Sequence, residues 1–302
     1  MRSAYFKMHL AIFLWGFTGL LGKFIDLNEG VLVWYRLFFS AVAIAIVVGL
    51  RSGLPKISRK EFLQIAGIGF IVMLHWVTFY GSIKLASISV AMICLSSIAL
   101  FASILEPLVN RQRFDIVEIA FSALAVAGIA TIYNSDANSA KGIVVGIVSA
   151  LLSAVFSILN KRITAKYEAL TISLIELSSG WLLLTLLFPI YMLLQPTVSF
   201  IPSSTDFIYL LILSLVCTVL TWVLSLQALR RVSAYTMGLA LNLEPVYGII
   251  LAILFAGEGR LMNGNFLTGA CLIMVTIVMH TIYKVRKTRV PPEKSIGPTM
   301  SG

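Results

Sequence analysis

A few charged and polar side chains stand inside long apolar runs, where each is costly and asks for a chemical reason. Glu244 lies near the middle of one such run and is followed by Pro245. A carboxylate there can hold a substrate ammonium or take up a proton, or it can serve packing by bonding a neighbouring hydroxyl or amide. The proline removes a backbone donor and is expected to kink the helix, freeing a carbonyl for a cavity to use. Arg36 and Glu176 fall in corresponding runs of the two halves of the chain, near opposite ends of the membrane. Such a pair suits gates that close two mouths in turn; the competing reading has Arg36 snorkelling to headgroups and Glu176 bonded locally. His75 belongs to the residue type that titrates near neutral pH. Its neighbour Trp76 shares a helical face with Tyr80, so the two rings can wall a cavity, although a buried neutral histidine and an interfacial aromatic belt explain the cluster as well. Trp15 and Trp222 lie deeper in their spans, where a belt explains them less well, and either line a cavity or face lipid; Asn242 closely precedes Glu244. The candidate substrate-binding set is therefore Trp15, His75, Trp76, Tyr80, Trp222, Asn242 and Glu244. The candidate gating or coupling set is Arg36, Glu176 and Glu244.

These residues are carried by apolar stretches that fill almost the whole chain, at approximately 8–25, 31–50, 62–80, 87–108, 117–133, 142–160, 169–194, 206–228, 234–256 and 265–283. Each is near the roughly 20 residues that cross a bilayer as a helix. Of 302 residues 59% are apolar and 12% charged, about half the charge of a soluble domain, where roughly 25% is usual. Lipid must therefore serve as part of the solvent. A net charge of +10 would suggest nucleic acid in a soluble protein, but its distribution says otherwise. Of the 23 Lys and Arg residues, all but Lys23, Lys84, Lys141, Arg260 and the intramembrane Arg36 fall in segments on one side. That bias predicts a multi-pass protein of the cytoplasmic membrane with both termini inside. Cys94, Cys217 and Cys271 fall within spans and show neither metal-ligand spacing nor a disulfide framework. Arg2 and Lys7 precede the first apolar run as in a signal peptide, but with no small-residue cleavage site the run reads as the first span. Residues 284–302, basic and then rich in Pro, Ser and Gly, are expected to form a disordered cytoplasmic tail.

The second five stretches echo the first five. A shift of 146 positions lays Ser87 on Ser233, Leu105 on Leu251 and Gln112 on Glu258, and a shift of 138 lays Gly22-Lys23 on Asn160-Lys161. Five spans per half is an odd number, so the halves must enter the membrane from opposite sides. The predicted fold is an all-α integral membrane protein of ten transmembrane helices, arranged as two inverted five-helix repeats, 8–133 and 142–283. In such proteins the site lies near mid-membrane between the repeats, and access alternates as one half rocks against the other. Gly16, Gly19 and Gly22 form a small-residue stripe and Gly142 and Gly146 a GxxxG, both suited to close helix approach. Glu106-Pro107 reads as the end of the fourth span.

Several motifs carry a family likeness: Leu14-Trp15-Gly16; Arg36 with Leu37-Phe38; Tyr80-Gly81-Ser82-Ile83-Lys84 leading to Ser87; Gln227-Ala228-Leu229-Arg230-Arg231-Val232-Ser233-Ala234; Leu243-Glu244-Pro245-Val246; and Gly257-Glu258. On these the chain resembles the drug/metabolite transporter superfamily, in particular its ten-span EamA-like members with tandem repeats, over roughly 8–283. The first half departs from the pattern, since Arg111-Gln112 stands where a Gly-Glu pair is usual. The resemblance implies a secondary transporter that exports an amino acid or similar small polar metabolite. No nucleotide loop is present, so energy would come from a gradient, with protons through Glu244 or His75 as the coupling ion. The implied partners are a small-molecule substrate and membrane lipid, with no nucleic acid, no cofactor and a homodimer left open. An intramembrane enzyme is disfavoured because His9, His75 and His280 lie in different spans with no HExxH, no GxSxG occurs, and every Asp is near or outside a span end. A receptor or scaffold gains nothing from an inverted duplication.

Overall fold

The computed structural model describes residues 2–51, 55–111, 113–133, 139–163, 166–194, 199–229, 240, 243–261 and 263–289. Among them every regular element is helical. The first half contains α1 (Arg2–Phe24), α2 (Glu29–Arg51), α3 (Arg59–Leu85), α4 (Ile88–Leu95), α5 (Ile98–Asn110) and α6 (Ile116–Tyr133). The second contains α7 (Ala140–Ile163), α8 (Ala169–Leu194), α9 (Ser204–Leu211), a π-helical stretch (Ile212–Leu220), α10 (Thr221–Leu229), α11 (Glu244–Phe255), a 3-10 turn (Glu258–Leu261) and α12 (Gly264–Arg289). Seven stretches are long and apolar enough to cross a membrane and three shorter apolar helices complete the ten. α12 continues through Arg289, into the segment read from the sequence as a tail.

The duplication reaches down to single caps. α3 opens on Ser58, whose Oγ accepts from the Glu61 backbone N–H, and α9 opens on Ser203, which forms a reciprocal capping box with Asp206. A Ser at the N-cap with an acid three residues on satisfies donors that a helix start leaves open. The fourth and ninth spans share a second feature. The fourth breaks at Ser96-Ser97, where Ser96 Oγ bonds the Met92 carbonyl at 3.1 Å and Ser97 Oγ that of Cys94 at 2.5 Å. Such back-bonding competes with the helical ladder. Ile98, the first residue of α5, falls under the 146 shift on Glu244, the first residue of α11. The ninth span is therefore interrupted at the matching depth. Pro245 does not kink a continuous helix, as its sequence position suggested; it sits in the first turn of a new one, where its missing N–H costs nothing.

The ends of α5 and α11 match as well. Among the described residues Arg111 at φ 53° and Gly257 at φ 69° are the positive-φ positions, and the same shift relates them. The left-handed turn that glycine accepts freely is held in the first half by an arginine, at a cost of about 1 kcal/mol. Arg111→Gly is accordingly expected to raise stability by about 1 kcal/mol, read as a higher unfolding midpoint in detergent. Glu106-Pro107 does not end the fourth span: the helix runs on to Asn110, and Glu106 instead pairs with Lys161 at 2.6 Å.

Helix contacts cross between the halves in mated pairs. α3 packs on α7 and α8, and in the mirrored positions the π-helical stretch and α10 pack on α1 while the π-helical stretch packs on α2. α2 meets α8, and α6 meets α12. Glycines permit the close crossings. A Cβ at Gly16 would lie 2.9 Å from Tyr247 Cβ, one at Gly22 would strike the Tyr80 ring, and one at Gly142 would strike Ala86. Both glycine runs seen in the sequence are thus packing surfaces.

Candidate functional site

A cavity of about 500 Å³ lies between the two halves, within the range of small-molecule sites. Ten of the helical elements supply its wall, and the two interrupted spans meet it at their breaks, through Ser96 and Ile98 in one and Glu244 and Pro245 in the other. Its lining runs from Phe79 and Arg36, past mid-depth, to Ser157, Asn160 and Ser173 near the face where α1 begins and α12 ends.

Arg36 is the eighth residue of α2 and Glu176 the eighth of α8, so the repeat places opposite charges at mated positions. Both are buried and both line the one cavity. Arg36 does not snorkel. Its Nε donates to Thr218 Oγ1 at 3.2 Å, its Nη1 donates to the Tyr80 hydroxyl at 2.7 Å, and its guanidinium carbon lies 3.7 Å from the Trp76 ring centroid. Thr218 is turned toward it by the π-helical stretch, where its own hydroxyl donates to the Leu213 carbonyl at 2.9 Å. A run of i→i+5 geometry of this kind often marks a functional site. Glu176 receives a hydrogen bond from the Asn160 side chain. Its Oε1 has no partner among the described residues.

His75 is buried, with Nδ1 2.9 Å from both the carbonyl and the hydroxyl of Ser149, whose hydroxyl also reaches the His75 carbonyl at 3.0 Å. It ties α3 to α7 and still lines the cavity. Glu244 opens α11 with its side chain on the cavity wall. A helix start carries partial positive charge and favours a carboxylate there. Trp15, Trp76 and Trp222 line the same space. Tyr80 does not: it is fully buried behind Arg36, against Gly22, and acts on the cavity only by holding the guanidinium. Asn242 lies outside the described residues, as does Gln112. Sequence reasoning did not single out Ser153, Ser157, Asn160 or Ser173 as site residues; Ser153, Ser157 and Asn160 repeat at i, i+4 and i+7, a polar stripe on one face of an apolar helix.

Polar contacts between the halves occupy both faces. Opposite the face where α1 begins and α12 ends, the Glu258 carboxylate accepts from the Ile88 and Ser89 backbone N–H groups, both at 2.8 Å, and so caps α4 from the other half. Asp206 accepts from the Asp26 N–H at 2.8 Å. On the face where α1 begins and α12 ends, Glu61 accepts from Lys166 at 3.0 Å and from the Tyr167 hydroxyl at 2.8 Å. The bond to Glu61 pushes the Tyr167 phenol up from its ordinary range. Lys166 is 62% exposed and Lys161 73%, so these ion pairs hold far less than buried ones. The first group is the more buried, and the cavity extends toward the second.

A model of the EamA-like transporter family matches residues 2–134 and again 140–282. An uncharacterized transporter, YxxF of Bacillus subtilis (strain 168), is 20% identical over 268 residues, covering 84% of this chain and 82% of that protein. A protein of known crystal structure is 18% identical with a TM-score of 0.62, over 93% of this chain and 98% of its own. At that identity the likeness speaks for the fold alone.

Proposed function

Because the chain belongs to the EamA-like transporter family, we propose that it is a secondary transporter exporting a small polar metabolite, such as an amino acid, across the cytoplasmic membrane by alternating access. The supporting observation is the cavity between the halves, in which Arg36, His75, Glu176 and Glu244 meet. Four titratable or charged groups inside an apolar bundle are costly unless a solute or ion uses them. The mated caps and breaks of the two halves give the same sequence elements to both faces, as rocking between two openings requires. Energy would come from a gradient, with a proton carried on Glu244 in exchange for substrate and both termini on the cytoplasmic side.

Counterflow tests the reading directly. Purified protein is reconstituted into liposomes preloaded with each amino acid in turn and diluted into trace labelled solute. Transient accumulation of label above that of protein-free liposomes is expected for at least one solute. Accumulation at the protein-free level across amino acids, nucleosides and polyamines would remove the transport reading for this substrate class.

A further inference from the structure

Arg36 is a buried cation that the fold positions firmly and leaves without a direct ion pair among the described residues. Among the described residues no carboxylate comes within 4 Å of its nitrogens. Its two hydrogen-bond partners, Thr218 and Tyr80, are neutral hydroxyls, and Trp76 covers one face. A guanidinium has five N–H donors in a rigid fork, and these contacts use two of them. The rest are held on the cavity wall, at 5% exposure, by a tyrosine locked against Gly22 and a threonine turned by the π-helical stretch. An unpaired buried charge is unfavourable, and a planar anion accepting two parallel N–H bonds is the partner that fits it.

We propose that Arg36 is the receptor for the carboxylate of the transported amino acid, and that the amino group of the solute faces Glu244 when bound. This rests on the transport reading and narrows it. The charge inventory selects among anions. Arg36 shares the cavity with Glu176 and Glu244, so a dianion such as a phosphate monoester meets two carboxylates against one cation. A zwitterion instead places a charge of the right sign at each end. Arg36 and Glu244 both line the cavity and make no ion pair with each other among the described residues. Arg36 lies toward the end of the cavity away from the start of α1, so the carboxylate enters first and the rest of the molecule trails toward Asn160 and Ser173.

The test uses the purified full chain and matched probes that differ by one charged group: L-leucine, 3-methylbutylamine and 4-methylpentanoate, with the corresponding triads for phenylalanine and the other apolar amino acids. Thermal stabilisation of the wild type is expected from the amino acid and the deaminated acid of a triad and not from the amine. Arg36→Gln is expected to weaken the apparent affinity for both carboxylates by about tenfold or more. Arg36→Lys, which keeps the charge and loses the fork, should recover only part of it. The wild-type triad needs no variant to fold. An amine that stabilises as well as its amino acid overturns the proposal, as does a full panel in which no carboxylate acts, or carboxylate affinity unchanged in Arg36→Gln. Counterflow that persists unchanged in Arg36→Gln sinks the receptor and leaves the transporter standing.

Discussion

Glu244→Gln is expected to abolish uptake driven by an acid-interior pH gradient while leaving the protein folded and inserted. In antiport, protons leaving the vesicle draw the solute in, so the carrier must bind proton and solute in alternation. Glu244 opens α11 at the break in the ninth span and faces the cavity. The amide keeps the shape of the side chain and its capacity to accept a hydrogen bond at the helix start, and loses only the charge and the titration. Losing a charge-assisted contact to a buried ligand group costs roughly 1.5–3 kcal/mol, or about ten- to a hundredfold in rate at low solute. Stability should change by less than about 1 kcal/mol, because Leu243 and Pro245 still set the start of the helix. Proteoliposome uptake with and without the gradient separates the two effects. Gradient-driven uptake in Glu244→Gln equal to wild type would move the proton elsewhere, with His75 next in line on the same cavity.

Much of this site was legible because polarity in an apolar span is costly. Arg36, His75, Glu176 and Glu244 stand out on that ground, and all four line the cavity with Trp15, Trp76 and Trp222. Polarity marks a residue without giving its direction, and Tyr80 shows the limit: sharing a face with Trp76, it nonetheless turns behind Arg36. Serines escaped because a hydroxyl costs little in a membrane helix and often satisfies itself on the preceding turn. That habit hid the stripe of Ser153, Ser157 and Asn160, and it hid the break at Ser96-Ser97, which hydropathy passes over. The repeat offset held more than was drawn from it. Arg111 marks the same left-handed corner as Gly257, and Glu258 turns out to cap α4 of the opposite half. Glu106-Pro107 misled because proline three residues before a helix end looks like the end itself.

Gly69→Val is expected to cost the most in stability, about 3 kcal/mol or more. Gly69 lies where α3 crosses α8, and a Cβ there would strike the Glu176 carbonyl oxygen and the Ser179 hydroxyl and lie 2.8 Å from Glu176 Cα. Across the crossing Gly180 is equally constrained, with a Cβ 2.9 Å from the Gly69 carbonyl oxygen. Two of these obstacles are backbone, which no rotamer change can move aside, so the helices must separate. Lipid tails are as apolar as the helix surfaces, so close packing is what holds the helices together, and separation forfeits it. Gly67 provides the control: a Cβ there meets nothing within 4 Å, and Gly67→Val should stay within about 0.5 kcal/mol of wild type, near the small difference in helix propensity. Thermal unfolding of the two variants in one detergent compares them, and equal midpoints would contradict the tight crossing. The damage at Gly69 would also reach the cavity, because the backbone it displaces is that of Glu176. Any Gly69→Val protein that does fold should therefore transport poorly, while Gly67→Val transports normally.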